Sequence, residues 1–358
     1  MSRPALRAAV RGLPAYVPGR AAPGAHVAAL ASNESPFDPL PSVRERVLAG
    51  AGRMHRYPDL ASTALRERIA AECHVGVGEV VVGPGSVGVL QQLLQAVLEP
   101  GDEVVHAWRS FEAYPILSAI AGGTSVPVPL TRDERHDLPA MLAAVGPRTR
   151  VVLLCSPNNP TGVLLSRSEL TEFLAAVPPS VLVVIDEAYV EFDTWPGAID
   201  ALAVRLRYEN VCVLRTFSKA YGLAGLRVGY AIAHPELAEG GRRTAVPFGV
   251  SALAQEAAIA SLDARAEIAE RVAAVVAERR RLTEALRDAG WSLPDSAANF
   301  VWLRMDDRSS RQVVAALAEA DILVRAYPGD GVRITVADAA VTDRLLAALP
   351  APRSAAAR

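Results

Sequence analysis

Short runs of consecutive apolar residues recur between about residues 79 and 233, and segments with helical spacing lie between most of them. Continuous apolar runs, unlike alternating ones, are typical of strands that are buried on both faces of a parallel sheet. Alternating strands and helices predict an α/β fold, with a mostly parallel seven-stranded sheet sandwiched by helices. The predicted strands are 79–83, 102–107, 124–130, 150–156, 181–186, 211–217 and 227–233.

The pattern changes after residue 248. A long helical stretch rich in Ala, Glu and Arg covers about 251–289, with a predicted break near Asp263 and a stop at Gly290. A strand (299–304), a helix (310–320) and two short strands (322–326 and 332–336) are predicted to follow. We therefore predict an N-terminal arm over 1–40, a large domain over 41–248 and a smaller α+β domain over 249–358.

Composition narrows the function. The chain has 358 residues and a net charge of −2, and this balance argues against nucleic acid as the main partner. No apolar run approaches the ~20 residues of a membrane helix, and Arg and Pro interrupt the N-terminal segment, so neither a membrane span nor a secretory signal is predicted. Three cysteines without a CxxC motif suit the cytoplasm, and six scattered histidines predict no metal site.

The stretch RTFSKAYGLAGLRVGY (215–230) places Lys219 just after a predicted strand, with Arg227 eight positions on. A lysine there has a simple explanation as a surface residue. However, the carboxyl edge of an α/β sheet is also where such folds bind ligands. Other motifs at the same edge decide between the two interpretations.

The stretch VVIDEAYVEF (183–192) ends a strongly apolar strand with Asp186 and continues to Tyr189. A buried carboxylate is costly unless it meets a cation, and a protonated pyridine nitrogen is such a partner. Tyr189 would then bond the ring oxygen of the same cofactor. The alternative is that Asp186 caps the following segment.

Two further turns follow apolar strands. CSPNNPTG (155–162) offers the amide of Asn159 to the ring oxygen, although a plain tight turn also explains it. In VGPGSVGVLQQLLQAVL (82–98), Ser86 and Val87 open a predicted helix, which makes an anion site. The run fits neither GxxxxGK[ST] nor GxGxxG, so a nucleotide-binding dehydrogenase is disfavoured.

Together these residues predict one site for pyridoxal 5′-phosphate. Thr216, Ser218 and Arg227 would join the Ser86–Val87 turn around the phosphate. Asp186 would hold the ring nitrogen, and Lys219 would bind the cofactor covalently through its amine. Phe111 in AWRSFEAYP would stack on the ring, unless it is ordinary core.

At these residues the chain resembles the fold-type-I pyridoxal-phosphate aminotransferases, in particular the histidinol-phosphate and aromatic amino acid aminotransferase subfamily. The resemblance covers about residues 10–345. It rests on an ordered set of motifs: LASNESPF, RYPD, SPNNPTG, IDEAYVEF, RTFSKAYGLAGLRVGY, ANFVWL and VRITV.

The resemblance implies a homodimer with active sites at the subunit interface, and an N-terminal arm that packs on the small domain or the partner subunit. Tyr57 matches the tyrosine that reaches the neighbouring subunit's cofactor phosphate, and Arg333 matches the arginine that binds the substrate's carboxylate or phosphate. The match also implies that Tyr16 and Asn33 lie near the substrate and that Arg325 is a second anion contact.

The run Ser86-Val87-Gly88, together with HAWRSFEAYP, is more similar to the aromatic amino acid branch. We therefore predict transfer of an amino group from an aromatic L-amino acid to 2-oxoglutarate, with histidinol phosphate as the alternative donor. Three other reactions remain as alternatives on the same fold, because decarboxylases, racemases and C–C lyases use the same residues around the cofactor. A non-catalytic regulator domain of the same type is a further alternative, but it would need a fused DNA-binding segment. An apolar side-chain pocket is predicted from Trp108, Phe111, Tyr114, Phe248 and Trp302, with ordinary core packing as the alternative for most of them.

Overall fold

The structure is a computed structural model that describes residues 4–13, 24 and 26–352. Its strands are β1 (Ala28–Ala29), β2 (Val80–Gly83), β3 (Glu103–Trp108), β4 (Thr124–Pro129), β5 (Thr149–Cys155), β6 (Leu182–Asp186), β7 (Val211–Thr216), β8 (Gly229–Ile232), β9 (Phe300–Arg304), β10 (Ile322–Leu323), β11 (Arg325–Tyr327) and β12 (Gly331–Thr335).

The helices alternate with most of these strands. They are α1 (Ala8–Arg11), α2 (Pro41–Ala51), α3 (Thr63–Cys73), α4 (Gly85–Val97), α5 (Ala113–Ile120), α6 (Leu138–Ala143), α7 (Arg167–Ala176), α8 (Ala201–Arg207), α9 (Pro235–Arg243), α10 (Ala252–Asp263), α11 (Arg265–Asp288), α12 (Asp307–Glu319) and α13 (Ala339–Ala348).

The large sheet has seven strands in the order β2-β8-β7-β6-β5-β3-β4. All its pairs are parallel except those of β8, which runs antiparallel to both β2 and β7. All seven predicted strands are present, and their ends lie within two residues of the predicted ends. The predicted α/β fold with a mostly parallel sheet is therefore confirmed.

Burial on both faces explains the continuous apolar runs. Along β3, Val104 packs into the core on one side of the sheet, while Val105 packs into the core on the other side. Each fully buried aliphatic side chain contributes roughly 1.5–3 kcal/mol from the removal of its surface from water. The sheet is thus a rigid platform, and polar groups at its carboxyl edge are held by strands with little freedom to move.

A smaller antiparallel sheet, in the order β11-β12-β9, forms near the C-terminus. Residues 28–30, within the predicted N-terminal arm, join this region, because β1 pairs in parallel with β10 and Leu30 packs into the same core. The predicted break in the long helix is present between α10 and α11. Helix α10 packs against α2 and α3, beside the large sheet. The domain boundaries at 40 and 248 stay predictions.

Within the described part of the chain, no helix combines the length and apolar character required to cross a membrane. Over the same residues, no cluster of three or more His, Cys, Asp or Glu side chains is arranged to hold a metal ion.

Candidate active site

A cavity of about 660 Å³ lies where β5, β6 and β7 end, between the large sheet and the small one. Parallel strands present their carboxyl ends at one edge, so residues far apart in sequence meet there. Thirteen of the residues predicted for the site line this cavity: Asn33, Ser86, Val87, Phe111, Asn159, Asp186, Tyr189, Thr216, Ser218, Lys219, Arg227, Arg325 and Arg333.

Two predicted residues are not in this group. Tyr57 is 82% exposed on the surface, where its ring stacks on Phe248 at 4.6 Å between centroids. Tyr16 lies outside the described residues. The cavity of one chain therefore does not include Tyr57, and its predicted role depends on a second subunit.

One end of the cavity brings together groups that can donate hydrogen bonds to an anion. Helix α4 begins there at Gly85, whose φ of +76° suits glycine, and a Cβ at this position would collide with the guanidinium of Arg227. Arg227 donates from Nη1 to Ser218 Oγ at 3.4 Å, and Thr216 Oγ1 donates to the same oxygen at 3.0 Å. Helix-terminal N–H groups, hydroxyls and one guanidinium together suit a phosphate group.

Asp186, Tyr189 and Lys219 form what we call the floor of the cavity. Asp186 is buried at the end of β6, and its carboxylate accepts from Tyr114 Oη at 2.7 Å and from the Ala188 N–H at 3.2 Å. Burial raises the pKa of Asp186 to about 6, and these two hydrogen bonds oppose the rise. A cationic N–H near this carboxylate would offset the cost of its burial.

Lys219 is half-buried and donates from Nζ to the carbonyl oxygen of Ser32 at 3.0 Å. Burial, assisted by the nearby charge of Arg333, lowers the pKa of Lys219 to about 7. A substantial fraction of this amine is therefore neutral near pH 7. A neutral amine is a nucleophile and a base, whereas a protonated amine is neither.

Tyr189 is held by the segment that follows β1. Its hydroxyl accepts from Asn33 Nδ2 at 2.9 Å, and Asn33 Oδ1 in turn accepts from Thr335 Oγ1 at 3.1 Å. Burial raises the pKa of Tyr189 above its ordinary value, so the phenol keeps its proton as a donor. Asn33, from the N-terminal part of the chain, thus links the floor to strand β12.

Arg325 on β11 and Arg333 on β12 form the arginine wall of the cavity. Arg333 donates from Nη1 to Asn159 Oδ1 at 2.5 Å and from Nη2 to the Ala31 carbonyl at 2.6 Å. Arg325 donates from Nη2 to Glu112 Oε2 at 2.8 Å. Two of the predicted substrate contacts therefore stand on one small antiparallel sheet.

Residues 25–349 match the model of the family "Aminotransferase class I and II". The chain belongs to this family. The predicted family and the enzyme class are thereby confirmed, and the individual roles of the lining residues stay predictions.

Relatives of this aminotransferase agree in name. An aromatic amino acid aminotransferase of Streptomyces avermitilis is 52% identical over 345 residues, covering 96% of each chain. One from Thermobifida fusca is 52% identical over 335 residues, covering 93% of each chain. Among solved structures, the histidinol-phosphate aminotransferase of Sinorhizobium meliloti in complex with pyridoxal-5′-phosphate is 31% identical, with a TM-score of 0.86 over 98% of this chain and 97% of that one.

The predicted apolar pocket of the aminotransferase needs correction. Phe111 lines the cavity, but Tyr114 is fully buried beneath it, where its hydroxyl is bonded to Asp186. Trp302 is core, and Phe248 lies at the surface beside Tyr57. Trp108 does not line the cavity either; its ring packs against His106 and Arg109. The apolar part of the lining comes instead from Val87, Phe111, Ile116, Leu117 and Tyr327.

Three features of the site were not predicted from the motifs. Tyr114 and Glu112 stand next to Phe111 in SFEAYP, but nothing in that string shows that one bonds Asp186 and the other Arg325. The third feature was readable from the sequence. Among the 37 lysines and arginines of the chain, Lys219 is the only lysine. Arginine serves every other basic position, but a guanidinium stays protonated and does not supply a nucleophilic amine.

Proposed function

We propose that the protein is a pyridoxal-phosphate-dependent aminotransferase that moves the amino group of an aromatic L-amino acid to 2-oxoglutarate. The observation that carries the proposal is the position of the chain's only lysine, on the floor of a cavity that also holds Asp186 and an anion-binding end. The relatives named above, at 52% identity, support the aromatic donor.

The residues present fit the cofactor. Ser86, Thr216, Ser218 and Arg227 would hold its phosphate, and Asp186 would pair with the ring nitrogen. Asp186 is the one carboxylate of the floor, and the burial that raises its pKa supports a cationic partner at this position. When bound, pyridoxal phosphate supplies an electron-withdrawing ring that draws charge from the reacting carbon of the amino acid.

Further groups of the chain would position the ring. Phe111 would cover one face, because this aromatic residue lines the cavity. Tyr189 and Asn159 would bond the ring oxygen. The oxygen of the Asn159 amide is already taken by Arg333, which leaves its nitrogen to donate.

Lys219 would hold and move the proton of the reaction. With its pKa near 7, the amine accepts a proton and returns it without a large energetic penalty in either direction. The carbonyl of Ser32 orients Nζ and accepts a hydrogen bond from it in either protonation state. In this arrangement Lys219 would act as the general base when it accepts the proton and as the general acid when it returns it.

The substrate would be fixed at both of its ends. Arg333 would bind the α-carboxylate as a two-pronged fork, since Asn159 and Ala31 already hold its guanidinium in place. The ring of the amino acid would lie against Phe111, Ile116 and Tyr327. Burial of an aromatic side chain against such a surface is favourable by roughly 1.5–3 kcal/mol.

A homodimer would complete the site. Tyr57 and Phe248 stack on each other at the surface, and Met54 and Val246 nearby in sequence are 73% and 70% exposed. Exposed apolar groups of this size commonly mark protein interfaces. In the dimer, Tyr57 would reach the phosphate of the partner's cofactor.

The three buried, unpaired cysteines fit the predicted cytoplasmic location.

One comparison of donors tests the substrate. Steady-state kcat/KM would be measured for phenylalanine and for histidinol phosphate, each with 2-oxoglutarate. We expect phenylalanine to be the better donor. A tenfold preference for histidinol phosphate, equal to about 1.4 kcal/mol of transition-state binding, would instead establish the alternative that the Sinorhizobium meliloti structure suggests.

A chemical experiment tests the cofactor without turnover. Borohydride reduction of the loaded protein should attach the cofactor irreversibly to one peptide, the one that contains Lys219, because the chain has no other lysine. Intact-mass and peptide-mass measurements give the stoichiometry and the position. Cofactor that remains fully removable after reduction would rule out Lys219 as its attachment point.

A further inference from the structure

The two arginines of the arginine wall stand directly opposite each other. Strands β11 and β12 are antiparallel, and their register pairs Arg325 with Arg333. Like charges directly opposite on neighbouring strands repel each other. Groups around the pair are therefore expected to offset this repulsion.

Glu112 offsets one of the two charges. Its carboxylate is 2.8 Å from Arg325 Nη2, and the two side chains are 27% and 12% exposed. Glu112 is the residue immediately before helix α5, so its negative charge is also favoured by the helix dipole. Both residues line the cavity, which makes this ion pair part of the surface that a substrate meets.

Arg333 is held differently. Its hydrogen bonds go to an amide oxygen and a backbone carbonyl, and no carboxylate of the described residues pairs with it. In the arginine wall, Arg325 is thus paired with a carboxylate, whereas Arg333 is held only by neutral groups. A substrate with a single carboxylate and a neutral side chain matches this distribution of charge.

We propose that Glu112 is a specificity-determining residue, which neutralises Arg325 and so selects a neutral side chain over a second anion. This inference rests on the proposed function only in taking the cavity as the substrate site. A distal carboxylate or phosphate must compete with Glu112 for Arg325, whereas an aromatic ring leaves the ion pair intact. The same pair therefore penalises 2-oxoglutarate, which carries a second carboxylate, relative to phenylalanine.

Two unreactive probes separate these contributions. Glutarate carries a second carboxylate, and 3-phenylpropanoate carries a neutral ring; both bind without undergoing transfer. Their dissociation constants would be measured by calorimetry on the cofactor-loaded protein and on Glu112→Gln. We expect glutarate to bind about tenfold more tightly to the variant, with 3-phenylpropanoate changed by less than about twofold.

A matched control is available on the neighbouring arginine. Asp330 forms an ion pair with Arg109, whose guanidinium lies 5.8 Å from the ring of Tyr327, and neither residue is among the described residues that line the cavity. Asp330→Asn removes the same charge by the same chemical change. We expect it to leave the ratio of the two dissociation constants unaltered.

A second variant tests whether Glu112 acts through Arg325. In Arg325→Gln the affinity for glutarate should fall, and adding Glu112→Gln to it should then have little effect, because additivity fails for residues that act as a pair. Glu112→Asp should stay close to the wild-type ratio. The proposal is overturned if Glu112→Gln shifts both probes equally or neither, or if its effect survives in the Arg325→Gln background.

These outcomes are independent of the donor comparison. If histidinol phosphate proves the better donor while Glu112→Gln still tightens glutarate selectively, the proposed aromatic donor fails and the role of Glu112 stands. If phenylalanine is preferred and the ratio of dissociation constants does not change in the variant, the role of Glu112 fails alone.

Discussion

The floor of the cavity and its arginine wall differ in what their charged groups can do. On the floor, burial moves the pKa of Asp186 up to about 6 and that of Lys219 down to about 7, so both groups change protonation near neutral pH. On the wall, carboxylate or amide partners fix the direction of the guanidinium groups of Arg325 and Arg333. The floor can exchange protons, and the wall can only bind.

This difference assigns chemistry to one region and substrate choice to the other. Groups on the floor come from the ends of β6 and β7 and the turns that follow them, in the rigid large sheet. Groups on the wall come from short strands of the small sheet and from the start of α5. Substitutions on the floor should therefore reduce turnover for every substrate, while substitutions on the wall should change the ranking of substrates.

Lys219→Ala is expected to have the largest effect. Loss of the amine removes both the attachment point and the proton carrier, so turnover should fall by about 10⁴-fold or more. Lys219→Arg keeps the positive charge and should be equally inactive. Stopped assays with phenylalanine and with 2-oxoglutarate measure the loss, and near-normal turnover in either variant would end the assignment.

Asp186→Ala should follow, with a loss of roughly 10²–10³-fold. The ring nitrogen of the cofactor would lose its anionic partner, so its protonated form would be less favoured. Asp186→Glu should lose much less, and Asp193→Ala, on the same loop but outside the cavity lining, serves as the control. Nitrogen NMR of labelled cofactor reads the protonation directly. An unchanged signal in Asp186→Ala would contradict the role.

Arg333→Lys tests the wall, with an expected loss of about 10²-fold on phenylalanine. Lysine keeps the charge but cannot form the two-pronged contact that Asn159 and Ala31 prepare. Arg304→Lys, on the adjacent strand and 66% exposed in its side chain, is the matched control. An equal loss in both variants would mean that the sheet, and not the carboxylate contact, is disturbed.

The sequence predicts the floor better than the wall for a physical reason. Asp186 and Lys219 follow continuous apolar runs, and parallel strands bring such positions to one edge without further information. Glu112 reaches Arg325 across 213 positions of sequence, through the packing of α5 near the small sheet. The sequence around Tyr114 predicts an aromatic residue of the side-chain pocket, but helix α5 directs its hydroxyl group to Asp186. Side-chain pairing between separate elements depends on tertiary packing, which no local motif contains.

The pH dependence of stability sharpens the contrast, because the floor holds two groups whose pKa values are shifted toward neutral pH. Lys219 has an ordinary pKa of 10.5, lowered to about 7 in the folded protein. Between these values the unfolded chain binds one more proton, so the free energy of unfolding rises with pH, by at most about 1.4 kcal/mol per pH unit. Asp186, with its pKa raised, acts in the opposite direction only between about pH 4 and 6.

Lys219→Met removes this contribution. Urea unfolding of the cofactor-free protein at several pH values from 7 to 9 gives the difference in stability between wild type and variant. We expect wild type to gain relative to Lys219→Met as pH rises. A difference that stays constant over this range would show that Lys219 has an ordinary pKa in the folded state.

Tyr57→Phe is expected to have the smallest effect. It tests whether the cofactor site of one subunit includes a residue of the other. The loss of one hydrogen bond to the phosphate of the partner's cofactor should weaken cofactor binding by about 1 kcal/mol. The ring of phenylalanine can still stack on Phe248, so the dimer should persist in light-scattering measurements. Cofactor affinity should also fall when the protein is diluted below its dimer dissociation constant. A monomer that keeps full affinity for the cofactor would show that the floor and the wall of one chain are sufficient, and that Tyr57 belongs only to the surface.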